Sequence, residues 1–142
     1  MEPILTRCGY RCDLCLAYKP NIERRPADRK KLSDGWHKYF GFRIPEENIY
    51  CEGCMERHPR LIDKHCPVRP CVMGRGLDNC AGCDEYVCGK LQERIVDRGE
   101  LAKKRSADIP EDDYRSFIRP YENLPRLEEI RDRKRDAGGR TP

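Results

Sequence analysis

Residues 80–91 read Cys80-Ala81-Gly82-Cys83-Asp84-Glu85-Tyr86-Val87-Cys88-Gly89-Lys90-Leu91. Two residues between Cys80 and Cys83 make a tight turn that can aim both sulfurs at one metal ion. Cys88 follows five positions later, in the first turn of a helix expected over residues 85–97. Val87, Leu91 and Ile95 form its apolar stripe, and Gly99 closes it. A thiolate near a helix start is stabilised by the dipole and by amides that lack a partner. The same two-residue step recurs in Cys12-Asp13-Leu14-Cys15 and Cys51-Glu52-Gly53-Cys54. Gly53 and Gly82 precede the second cysteine of their turns, where a small residue lets backbone amides approach the sulfur. Cys71, just after Pro70, is expected at another helix start. Cys8 and Cys66 complete a set of ten, with none after Cys88.

Composition explains why this pattern decides the fold. Among 142 residues there are 10 Leu, 9 Ile, 4 Val and 3 Phe, while 38% are charged. So small a stock of large apolar side chains falls in the range where a chain cannot fold on burial alone. Such a chain is disordered or is held by something other than burial, and the ten cysteines point to the second. No run approaches the roughly 20 apolar residues of a membrane span. The opening Met-Glu-Pro-Ile-Leu-Thr-Arg-Cys has no basic start followed by an apolar stretch, so a cytoplasmic location is expected. In that reducing compartment, clustered cysteines read as metal ligands before disulfides.

Zinc commonly takes four such ligands in a closed tetrahedron. The working division joins Cys51, Cys54, Cys66 and Cys71 in one site, since they are consecutive and spaced like a finger. Cys12, Cys15, Cys80 and Cys83 make the second. Cys8 and Cys88 are accessory ligands or belong to a third or bridged site, and crossed pairings remain open. Two or three zinc ions on eight or ten thiolates would cancel the chain's formal +4. The apparent basicity is therefore weak evidence for nucleic acid.

Iron–sulfur is the main chemical rival. Cys8-x3-Cys12-x2-Cys15 has the spacing of the radical S-adenosylmethionine triad, but the chain lacks the length and strand–helix alternation of that barrel. Cys66-Pro67 resembles one step of a ferredoxin run whose remainder is absent. Thiol redox chemistry would need a thioredoxin-like unit, and the sequence has no such pattern. His37, His58 and His65 read as ordinary surface or loop histidines. The basic stretches Arg24 to Lys31, Lys103-Lys104-Arg105 and Arg131 to Arg135 read as solvated faces, with phosphate contact as the functional alternative. Core packing is the better reading for Trp36 and Tyr39; with Tyr10, the alternative is stacking on bases.

Other helices follow from periodicity. Pro26 and Gly41 bound one whose face is Leu32, Trp36, Tyr39 and Phe40, with Gly35 an internal cost of about 1 kcal/mol. Another starts at Pro110, carries Tyr114, Phe117 and Ile118 inward, and stops at Pro120. A last one follows Pro125, with Leu127 and Ile130 inward, a Glu129–Arg133 pair, and Gly138-Gly139 at its end. Sustained alternation is absent, so little or no sheet is expected.

The order Cys8-Gly-Tyr-Arg-Cys12-Asp-Leu-Cys15, Cys51-Glu-Gly-Cys54, Cys66-Pro-Val-Arg-Pro-Cys71 and Asn79-Cys80-Ala-Gly-Cys83-Asp-Glu-Tyr-Val-Cys88-Gly-Lys-Leu91 resembles the prokaryotic cysteine-rich domain-of-unknown-function family 3795. The resemblance spans about residues 8 to 91 and implies a zinc-binding protein, and the family has no established activity to carry over. Val87 stands where that family often has Pro.

The expectation is a small, metal-stabilised, mostly α protein with irregular zinc-knuckle loops. Residues 1–99 form its cysteine-rich metal-binding domain and 100–142 a charged helical extension packed on it. All ten cysteines are candidate ligands. The expected function is a non-catalytic, zinc-binding accessory or adaptor module for a protein, RNA or DNA complex. The alternative is an iron–sulfur electron-transfer or thiol-redox protein.

Overall fold

The computed structural model of the protein describes residues 2–139. Its helices are α1 (Lys19–Arg24), α2 (Asp28–Phe40), α3 (Val68–Gly74), α4 (Gly89–Gln92), α5 (Arg98–Arg105), α6 (Glu111–Asp113) and α7 (Leu124–Gly139). Short 3-10 turns form at Cys12–Leu14, Glu46–Asn48 and Cys80–Gly82. Among the described residues there is no strand, only isolated bridges between Leu5 and Arg11 and between Tyr18 and Cys51. The expected mostly helical fold is thus present.

Helix α2 follows its apolar period. Leu32, Trp36 and Tyr39 are buried. Gly41, at φ +83°, closes the helix by donating its N–H to the His37 carbonyl. The helix starts at Asp28, two residues past Pro26. Gly35 has a packing reason, because a Cβ there would lie 2.4 Å from carbons of the Phe117 ring. Helix α6 continues as a π turn over Tyr114–Ile118 and a 3-10 turn over Arg119–Tyr121, so Pro120 sits inside the last turn. Helix α7 starts at Leu124, buries Leu127 and pairs Glu129 with Arg133 at 4.0 Å. The residues after Gly139 lie outside the described ones.

Two expectations are corrected. The helix expected over residues 85–97 is reduced to the four residues of α4, and α5 starts only at Arg98. Cys88 is extended, at φ −89° and ψ 170°, so α4 begins only at Gly89. Asp97 is also extended, and its carboxylate accepts the Glu100 N–H at 2.9 Å. Asp97-x-x-Glu100 is a helix-start signature that outcompetes the longer apolar period and draws Gly99 into α5. Helix α3 begins at Val68, before Pro70, so Cys71 lies in the helix rather than at its start. Val68 and Val72, one turn apart, bury the inner face of α3.

Burial forms two cores. The larger joins Ala17, Leu32, Trp36, Tyr39 and Ile49 with Ile109, Phe117, Ile118 and Tyr121. The smaller holds Cys8, Val68, Val72, Cys80, Ala81, Leu91 and Leu127. Full burial of one large aliphatic is worth about 1.5–3 kcal/mol. The smaller core has few such groups and fills the rest with cysteine and alanine. Residues after 100 contribute to both cores. Asn123, wholly buried, donates to the carbonyls of Cys8 at 2.9 Å and Arg94 at 3.2 Å and accepts the Val96 N–H at 3.4 Å.

Candidate metal centres

The cysteines gather around two spaces of different size. Cys71 from α3, Cys80 and Cys83 from the turn Cys80–Gly82, and Cys88 at the start of α4 line a cavity of about 10 Å³. That is roughly the volume of one water-sized sphere. Val68, Val72 and Leu91 wall it in. Asn79 shapes the turn by accepting the Ala81 N–H at 2.9 Å. Arg131 holds it from α7, donating to the carbonyls of Ala81 and Cys83 at 3.1 Å each. Arg75 reaches Cys83 Sγ at 3.7 Å and pairs with Glu85 at 2.7 Å. Burial pushes the Cys80 thiol up to about 12, helped by the nearby sulfurs of Cys88, Cys83 and Cys71. Cys80 thus resists ionisation by itself, and a dication would reverse that balance.

Cys8, Cys12, Cys15, Cys51, Cys54 and Cys66 border the second cavity, of about 800 Å³. The first two knuckles meet because Lys19 N–H donates to the Cys51 carbonyl at 2.8 Å beside the Tyr18–Cys51 bridge. Gly53, at φ +89°, presses so close that a Cβ there would stand 3.3 Å from Cys12 Sγ. Burial raises Cys8 to about 12 and Cys15 to about 11, and lifts Cys12 and Cys54 as well. Cys12 also feels Cys54, Cys15 and Cys51, whereas Cys8 and Cys54 both feel Cys66. Opposing donors favour the anions. The Tyr10 amide and Thr6 hydroxyl serve Cys8, while the Ala17 and Tyr18 amides and the Tyr121 hydroxyl serve Cys15.

This grouping replaces the division expected from spacing. Cys71 leaves Cys51, Cys54 and Cys66 to join Cys80, Cys83 and Cys88, because Pro67 starts α3 and turns the chain between Cys66 and Cys71. Cys12 and Cys15 lie with Cys51 and Cys54 rather than with Cys80 and Cys83. Cys8 and Cys88 fall into different sets. His37, His58 and His65 are exposed and line neither cavity. All ten cysteines are free thiols. Among the described residues no three Cys, His, Asp or Glu side chains converge closely enough to hold a metal ion as they stand. A zinc tetrahedron sets its sulfurs about 3.8 Å apart, so Cys71, Cys80, Cys83 and Cys88 would draw inward on a single ion.

Spacing reasoning missed Arg75, Arg131 and Tyr121. Arg75 stands one helical turn after Cys71, and Arg131 one turn after the buried Leu127, so periodicity carried a signal for both. Nothing local marked Tyr121, which lies 106 residues from Cys15.

Among the described residues no helix is long and apolar enough to cross a membrane. No curated protein and no solved structure matches the chain. Residues 4–93, more than half of its length, match the family described as "Protein of unknown function (DUF3795)", and the chain belongs to that family.

Proposed function

We propose that the protein is a zinc-binding, non-catalytic module in which Cys71, Cys80, Cys83 and Cys88 hold one structural zinc ion. The observation that carries this reading is the approach of four cysteines from three segments to a space of about 10 Å³, suited to a single ion. Four thiolates would fill the coordination shell. No position would then remain for substrate, which fits a structural role. The thin core beside this site gives such a cross-link something to stabilise. Because the metal would join α3 to the loop before α4, binding energy there is folding energy.

On this reading the module works in the cytoplasm as an accessory or adaptor subunit, presenting its charged helices to a protein complex or to RNA or DNA. Lys103, Lys104 and Arg105 form an exposed basic patch at the end of α5. Binding to mixed-sequence RNA or DNA that falls steeply with salt would support the nucleic-acid branch, and no binding at low salt would remove it.

Elemental analysis of the reduced protein tests the metal. Zinc should be present, and Cys80→Ser and Cys88→Ser should each release one equivalent and lower the thermal midpoint. Unchanged zinc content and an unchanged melt in both variants would refute the reading.

A further inference from the structure

We propose that the six-cysteine cavity is a second and chemically different centre, a site for a [4Fe–4S] cluster held by Cys12, Cys15, Cys51 and Cys54. This does not rest on the zinc reading, since the two sets share no cysteine.

Size is the first argument. The six sulfurs border a broad, partly open space of about 800 Å³ that also runs past Phe42, Asp63 and Lys104, whereas the other set closes on about 10 Å³. A lone ion bonds thiolates at about 2.3 Å and would have to collapse such a cavity to reach four of them. A cubane brings its own iron and sulfide atoms and so keeps its protein sulfurs further apart. Ligand choice follows from the two knuckles facing each other across the Tyr18–Cys51 bridge, where a Cβ at Gly53 would stand 3.3 Å from Cys12 Sγ. Cys8 and Cys66 stand to one side, next to Cys54.

The surroundings suit a cluster. Trp36, Phe40, Ile44 and Ile62 supply apolar wall, while the cations Arg11, Arg69, Arg94 and Lys104 are balanced along the lining by Asp63, Glu93, Asp97 and Glu100. Amides and hydroxyls face several of the sulfurs, and hydrogen bonds to sulfur are among the factors that set cluster potential. Tyr121 is the positioning residue with the clearest role. Its hydroxyl accepts the Trp36 Nε1–H at 3.2 Å, and an indole can only donate. The Tyr121 proton is therefore free to point at Cys15 Sγ, 3.1 Å away. A donor at a ligand sulfur favours the reduced, more negative cluster.

The test purifies the full chain without oxygen and incubates it with ferric iron, sulfide and a thiol reductant that supplies the two electrons the oxidised cubane requires. About four iron and four sulfide per chain, with broad visible absorption and an electron-paramagnetic signal after dithionite reduction, are expected. Cys15→Ser and Cys54→Ser should lose the colour and keep the zinc bound by Cys71, Cys80, Cys83 and Cys88. Cys88→Ser should do the reverse. Tyr121→Phe should keep the cluster and shift its midpoint potential negative, a change that a packing role alone would not produce. A colourless chain with zinc in both sets would overturn this proposal and leave the zinc reading intact. Iron in the set around Cys88 would overturn the zinc reading instead. Colour that survives Cys15→Ser and Cys54→Ser would mark iron sulfide bound elsewhere and would also overturn the proposal.

Discussion

The side-chain amide of Asn123 donates to the backbone carbonyl of Cys8 at 2.9 Å, across 115 residues of chain. The same amide reaches the Arg94 carbonyl, and its oxygen accepts from Val96. One wholly buried side chain thus ties the first cysteine loop, the segment before α5 and the start of α7. Removing it strands polar groups away from water, where each costs about 1–3 kcal/mol. Asn123→Leu, similar in branching but unable to bond, should destabilise the protein by about 2–4 kcal/mol. Urea titration of the reduced protein measures this as a lower midpoint. A midpoint within error of the parent would contradict the role given to Asn123.

Gly35 gives two physical effects of opposite sign. On propensity alone, Gly35→Ala in the middle of α2 should stabilise by about 1 kcal/mol. The Phe117 ring lies where the new methyl would go, at 2.4 Å, and Phe117 is itself buried. Overpacking of this kind costs about 1–3 kcal/mol, so the clash should win and the variant should be less stable. In a Phe117→Leu background the same Ala should cost less or become favourable. A double-mutant cycle from urea melts reads that coupling directly.

Tyr39 and Asp113 predict a dependence on alkaline pH. The Tyr39 hydroxyl donates to Asp113 Oδ2, and the Arg105 guanidinium lies 4.7 Å from the ring centre. Burial first, then the bond and charge of Asp113, raise Tyr39 from 10.0 to about 12. The folded state therefore holds this proton more tightly than the unfolded one. Its contribution to stability is whole below pH 10 and disappears as pH climbs through about 12. The parent should lose more stability than Tyr39→Phe across that window. Parallel loss in the two proteins, followed by urea melts at stepped pH, would show that Tyr39 does not titrate late.

What the sequence revealed depends on the range of the signal. Leu32, Trp36 and Tyr39 announced α2 because one helical face is a local pattern. Cysteine spacing likewise announced turns at Cys12 and Cys80. It could not say that Cys71 faces Cys88 rather than Cys51, because that depends on how α3 turns the chain after Pro67. Helix α5 was legible in Asp97-x-x-Glu100, but the apolar stripe of Val87, Leu91 and Ile95 suggested a longer helix through it. Tyr121 and Asn123 act on cysteines more than 100 residues away, and only the packed cores bring them there.

Gly53 and Gly82 look alike in sequence, each just before the second cysteine of a knuckle, yet the structure separates them. Gly53 has φ +89°, and a Cβ there would stand 3.3 Å from Cys12 Sγ and 3.4 Å from the Tyr18 ring. Gly53→Ala meets backbone strain of about 1–3 kcal/mol and also pushes on a candidate ligand. Gly82 has an ordinary φ, and its Cβ would meet Leu77 Cδ2 at 3.2 Å and Lys134 Nζ at 3.8 Å. Those are the far ends of flexible side chains that can give way. Gly82→Ala should therefore stay within about 0.5 kcal/mol of the parent and keep its metal content. Gly53→Ala should lower the urea midpoint and reduce metal bound at the Cys12 and Cys51 knuckles. Equal losses in the two variants would mean that closeness to sulfur is not what requires glycine at Gly53.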